Sequence, residues 1–225
     1  MKQLFALILI ILSFSCTEKS VQLPETINKD ITEVLDVSPV YMFYNEENGS
    51  LEFNRKNIIS TTNWLVNIDK RLTLKQILPH LQYLQDKRHS NGMHKNENAR
   101  NYFTCNNTDL KNLSFIEFTD VVYQTNFDID NDPNFLSEDY LGIVRFNSME
   151  SVEIISEYEE HTEIEEFNLN SFLNNINELT KSNKVSLKMS FNSNISFQEY
   201  ISIKSKLIAI KSERLEILSH EVIHN

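Results

Sequence analysis

Hydrophobic and polar positions alternate in one part of the chain and recur at helical spacing in another, and that switch lays out its elements. Val40-Tyr41-Met42-Phe43-Tyr44 follows Pro39, and Leu51-Glu52-Phe53 follows Asn48-Gly49. An Asn-Gly step between two apolar runs predicts a hairpin. Trp64, Val66 and Ile68 alternate with Leu65, Asn67 and Asp69, predicting another strand. Over 73–87 the period changes: Leu74, Ile77, Leu78, Leu81 and Leu84 fall on one helical face. Thr73 and Gln76 have capping-box spacing, and Pro79 predicts a kink or a later helix start. Residues 89–100 are polar and predict a loop, followed by strands at 102–105 and 113–123. In the second half, 141–146 and 152–158 predict strands. Leu169, Phe172, Leu173, Ile176 and Leu179 predict a helix, and Val185, Leu187, Met189 and Phe191 a strand with one buried face. Ser196 and Glu199 cap a further helix over 197–208, and Leu215, Ile217 and Ile223 close the chain as a strand.

These elements predict an α+β or α/β fold, a small sheet with two helices packed on one face. The apolar positions of the helix at 169–179 are those of the helix at 74–84 shifted by 95 residues, which suggests a duplicated unit. The division expected is a signal over 1–15, a tether over 16–38, an α/β domain over 39–127, an acidic linker over 128–140 and a second α/β domain over 141–225. Ser186, Lys188 and Ser190 alternate with the buried positions of their strand, so they are expected to present an open polar face on which a partner could dock, or else a partner could add along an edge strand.

The first sixteen residues change the picture. Lys2 precedes an unbroken apolar run from Leu4 to Leu12, and Ser13-Phe14-Ser15 leads into Cys16. A charged start, a short apolar run and small residues before a cysteine resemble a bacterial lipoprotein signal, in the looser form of Bacteroidetes-type lipoproteins with Ser15 before Cys16. The run is shorter than the roughly 20 residues that a spanning helix needs. The resemblance implies that Cys16 carries lipid and holds the protein in the cell envelope, facing the periplasm or the cell surface.

Composition narrows the function. The 21 Lys and Arg against 32 Asp and Glu give a net charge of −11, or −12 without Lys2. That excess of acid opposes binding to nucleic acid or adhesion to anionic lipid. With Cys16 lipidated, Cys105 has no partner for a disulfide, and its apolar company predicts a buried, inert thiol. Three glycines, Gly49, Gly92 and Gly142, leave no phosphate-cradling loop, and no cofactor is implied. His80, His89 and His94 show no shared ligand spacing. Asp128-Ile129-Asp130-Asn131-Asp132 begins like a calcium loop, but Pro133 stands where the turn needs glycine, so an acidic linker is the better reading. Eight glutamates between Glu150 and Glu166 read as a solvated face.

From residue 152 the expected order is β-(β)-α-β-α-β. That order, with Val185-Ser-Leu-Lys-Met-Ser-Phe-Asn-Ser-Asn-Ile-Ser-Phe197, resembles the periplasmic domain of the ExbD/TolR family over residues 150–224, with a degenerate first copy at 58–123. The resemblance implies a docking role beside a biopolymer transport complex. The apolar run at Leu4–Phe14 lacks the family's membrane acid, and Asn192 stands where the family has Asp, so proton-driven work is not implied.

His220-Glu221-Val222-Ile223-His224 spells HExxH. On a helix, His220 and His224 would share a face for zinc with Glu221 as general base. The expected function is therefore a non-catalytic, lipid-anchored interaction module with an envelope protein partner. A secreted zinc hydrolase using His220, Glu221 and His224 is the alternative.

Overall fold

The computed structural model describes residues 19–89, 96–125, 140–157 and 162–225. The signal over 1–15, Cys16 and nearly all of the acidic stretch at 128–140 lie outside the described residues. The fold is mixed α/β, with two six-stranded sheets and three helices among the described residues.

The first sheet uses β1 (Glu25–Thr26), β2 (Val37–Tyr44), β3 (Leu51–Asn54), β4 (Asn63–Ile68), β5 (Asn101–Asn107) and β6 (Asn112–Glu117). β2 pairs antiparallel with β3 and parallel with β4, β4 runs parallel to β5, and β6 lies antiparallel on β5. The Asn48-Gly49 turn is the hairpin connection, with Gly49 at φ +68°, where a Cβ would lie 3.3 Å from the Tyr44 hydroxyl. Helix α1 (Leu74–His89) follows β4. It starts at Leu74 and continues through Pro79. Its apolar stripe of Leu74, Ile77, Leu78, Leu81 and Leu84 is buried in one cluster with Val40, Met42, Trp64, Val66 and Ile68. Burial of each such side chain contributes about 1.5–3 kcal/mol.

The second sheet uses β7 (Val122–Gln124), β8 (Tyr140–Phe146), β9 (Val152–Glu157), β10 (Thr162–Phe167), β11 (Val185–Asn192) and β12 (Leu215–His224), in the order β10-β9-β8-β11-β12-β7. Helices α2 (Leu169–Leu179) and α3 (Phe197–Ile208) lie on one face of it. Phe172 of α2 meets Phe146 edge-on at 5.6 Å, Tyr200 of α3 meets Phe191 at 5.0 Å, and Phe146 and Phe191 are register partners.

Four expectations need correction. First, the segment expected as a tether joins the fold from Lys19 onward. Lys19 pairs with Glu52, Gln22 N–H donates to Asp69, Asn106 N–H donates to Pro24 C=O, and β1 pairs with β5. Backbone hydrogen bonds hold this polar segment, which is why it shows no apolar period. Second, the strand expected at 113–123 breaks into β6 and β7. β7 pairs with β12, so the second unit claims residues before the boundary drawn at 127. Third, Ser186, Lys188 and Ser190 do not form an open face: they are 5%, 1% and 0% exposed. An alternation of polar and apolar residues cannot tell a solvated face from a covered one.

The fourth correction concerns the repeat. Strand β4 with α1 matches β11 with α3, at an offset of 123 residues rather than 95. That offset takes Val66, Ile68, Leu72, Thr73 and Gln76 onto Met189, Phe191, Ile195, Ser196 and Glu199. The strand order β3-β2-β4-β5 recurs as β9-β8-β11-β12, with the same senses. The equivalent segments also bind each other. Leu74 N–H donates to Ile195 C=O at 3.1 Å and Phe197 N–H to Leu72 C=O at 2.7 Å. Lys75 N–H donates to Ser193 C=O at 2.7 Å and Gln198 N–H to Lys70 C=O at 3.1 Å. Each bond is the other's counterpart under the 123-residue shift, so a local two-fold relation passes through the Thr73–Ser196 bridge. Helix α2, the apparent partner at offset 95, belongs with β10 to an insertion in the second unit.

Candidate functional site

The HExxH stretch lies in β12, not on a helix. In a strand, alternate residues face opposite ways, so His220 and His224 share one face and Glu221 the other. Four residues of strand put their Cα atoms about 13 Å apart, against about 6 Å for the one-turn helical spacing that the zinc motif uses. Among the described residues no group of three or more His, Cys, Asp and Glu side chains could hold a metal ion.

Glu221 is fully buried against α3. One carboxylate oxygen accepts from the Lys204 ammonium, and the other accepts from the Tyr200 hydroxyl at 2.7 Å. The Tyr123 hydroxyl, from β7, lies 3.2 Å from that of Tyr200. Burial first, and then the Glu221 carboxylate, push both tyrosines well above their ordinary range. The network is closed: an acid, an amine and two phenols satisfy one another where α3, β7 and β12 meet. Its chemistry is that of a buried ion pair with its oxygens occupied.

His224 lies on the opposite face. Its Nδ1 is 2.8 Å from Ser190 Oγ and its Nε2 is 3.3 Å from Asn147 Oδ1. Arg145 donates to Glu153 at 2.8 Å, and Asn147 donates to the same carboxylate at 2.7 Å. Arg145, Asn147, Asn192, His224 and Asn225 line an open hollow of about 370 Å³. Burial, then the Arg145 charge, lowers His224 below its ordinary value, with Glu153 opposing. Ser190 is fully buried, so this Ser–His contact exposes no nucleophile.

The other residues singled out by sequence are scattered. Cys105 is buried, and burial pushes its thiol up to about 12. The His80 ring lies 4.6 Å from that of Phe53, tilted by 40°, and His89 Nδ1 lies 2.9 Å from Gln85 C=O. His94 lies outside the described residues.

Part of the glutamate run forms a strand that periodicity did not reveal. β10 pairs antiparallel with β9 and ends the sheet. Glu163, Glu165 and Glu166 are exposed, and Ile164 is 55% exposed. Ile164 is the register partner of Ile155, which is the partner of Ile143. These three isoleucines form one aliphatic row across β8, β9 and β10. The first two members are buried, at 5% and 8% exposure, and the third is open at the edge. In the sequence only Ile164 between Glu163 and Glu165 hints at this strand, and Glu166 breaks the alternation.

No protein-family model matches this chain, and searches of curated proteins and of solved structures found no match.

Proposed function

We propose that this chain is a lipid-anchored cell-envelope protein that acts as a non-catalytic interaction module. The anchor follows from the resemblance of residues 1–16 to a lipoprotein signal. The ExbD/TolR likeness of residues 150–224 suggests a place beside a biopolymer transport complex. The observation that carries the non-catalytic reading is the state of Glu221. The zinc-hydrolase alternative needs that carboxylate as a free base beside two histidines. Here it is buried, both oxygens are taken by Lys204 and Tyr200, and it faces away from His220 and His224.

The anchor would also be short. From Cys16 to Lys19, where the chain meets Glu52, three residues span at most about 11 Å. A domain held this closely meets partners at the membrane surface. Cys16→Ala is expected to abolish fatty-acid labelling and partitioning into the detergent phase. Labelling that persists in this variant would remove the anchor from the reading. One zinc per chain by elemental analysis, lost in His220→Ala, would restore the hydrolase.

A further inference from the structure

The outer sheet edges differ in how they are covered. β3 is four residues long, and Lys19 reaches Glu52 on it. Beside β6, Phe115 N–H donates to Ile31 C=O. At β7 the side-chain amide of Gln82 donates to Tyr123 C=O at 3.1 Å, and that of Gln85 donates to Val121 C=O. β10 is the exception. It is six residues long, and among the described residues nothing pairs with its outer edge. An uncovered edge presents a row of backbone donors and acceptors able to take another strand.

We propose that β10 accepts an extended basic segment of an envelope partner as the next strand of the second sheet. The proposal deepens the interaction-module reading and rests on it. The side chains specify the occupant. A strand laid on β10 places one residue opposite Ile164, where an aliphatic side chain would add a fourth member to the Ile143–Ile155–Ile164 row. The residues on either side of it stand opposite Glu163 and Glu165, on the other face, and one two places away stands opposite Glu166. Cross-strand pairs of opposite charge are favourable, and like charges oppose. The segment therefore carries an aliphatic residue opposite Ile164 with Lys or Arg on each side of it. The same glutamates repel a second copy of β10, so the edge selects against self-pairing while it stays open to a basic strand.

The test uses purified full chain without its signal and a capped, fluorescently labelled peptide that alternates Lys and Val. The expected result is saturable binding by anisotropy, weakened by salt. Glu163→Lys with Glu165→Lys should weaken it at least tenfold. The same peptide with alternate backbone amides N-methylated should also bind at least tenfold more weakly, because it keeps its charge and loses its strand donors. No binding, or equal binding of the N-methylated peptide, overturns the proposal. If the charge-reversed variant fails to fold, the N-methylated peptide on the unaltered chain decides. Fatty-acid labelling of Cys16 is read separately. Lost peptide binding with labelling intact discards the edge and keeps the anchored envelope reading. Binding without labelling keeps the edge and discards the anchor.

Discussion

Glu221 shows why a sequence motif and a structural role can diverge at a single residue. Its carboxylate neutralises Lys204, which is itself only 12% exposed, and orients the Tyr200 hydroxyl. Removing one member of a buried pair leaves the other charge unsatisfied, which costs about 3–5 kcal/mol, whereas replacing both by apolar residues of similar volume is close to neutral. Glu221→Ala should therefore lower stability by about 3–5 kcal/mol in urea melts. Glu221→Leu combined with Lys204→Met should recover most of that loss. The titrating groups add a pH dependence whose sign is fixed by their environments. His80 and His224 are both lowered, chiefly by burial, with Arg55 and Arg145 adding to the effect. The unfolded chain then binds protons that the folded chain resists. Stability is full above the ordinary histidine value of about 6.5 and falls as pH drops through the lowered values. Asp69 behaves as a second, more acidic case. Burial raises it, but hydrogen bonds from Arg71 and from the Gln22 and Arg71 backbone leave it lowered overall. Its stabilisation is present above its ordinary value of 3.8 and is lost as pH falls through the folded value. Melts between pH 8 and pH 3 should show two successive losses, and His80→Gln with His224→Gln should remove the first.

At the scale of elements, the two helix starts are the informative pair. Ser196 Oγ accepts from Glu199 N–H, and the Glu199 carboxylate accepts from Ser196 N–H, completing the box on α3. On α1 the Gln76 side chain accepts from Thr73 N–H at 3.0 Å and donates to Gly49 C=O at 2.7 Å. Loss of an N-cap hydroxyl costs about 0.5–2 kcal/mol. Ser196→Ala should fall in that range by denaturant melts. The Ser196–Glu199 box forms in full, whereas at Thr73–Gln76 only the return arm forms, because the Thr73 hydroxyl donates to the Gln76 side chain instead of accepting from its N–H. The spacing of both pairs was legible in the sequence because each needs only two residues. So were the hairpin at Gly49, the stripe of α1 and the buried rows of β4 and β11, where apolar period and turn chemistry agree. The duplication was legible in kind but not in register. Leu72-Thr73-Leu74-Lys75-Gln76 and Ile195-Ser196-Phe197-Gln198-Glu199 carry the signal, while the apolar spacing of α2 imitates α1 without sharing its preceding strand. β1 and β10 were not legible. Two residues have no period, and a strand carrying exposed glutamates on both faces has no apolar side. The covering of Ser186, Lys188 and Ser190 was beyond reach for a different reason: what lies on a sheet face is a tertiary fact with no trace in the strand itself.

In the whole molecule, the two units are joined by more than the bridge at Thr73 and Ser196. One hydrophobic cluster includes residues from both sheets and all three helices. Phe103 of β5 meets Phe197 of α3 edge-on at 5.2 Å and Tyr200 at 6.2 Å, and it stacks on Phe118 at 3.8 Å. Thr26 and Ser205 hydroxyls lie 2.7 Å apart across the same boundary. A core shared in this way predicts that the units unfold together, in a single transition that different probes report alike. The chain supplies its own test, because its single tryptophan, Trp64, is buried in the first unit. Phe197, fully buried, belongs to the second. Phe197→Ala should cost about 3–5 kcal/mol as a large-to-small core change. If the core is shared, Trp64 fluorescence and far-UV circular dichroism should shift to lower denaturant by the same amount, although the substitution lies 133 residues from the reporter. A Trp64 transition that stays where it was, while the dichroism develops an earlier step, would show two independently folding units held together only by the chain.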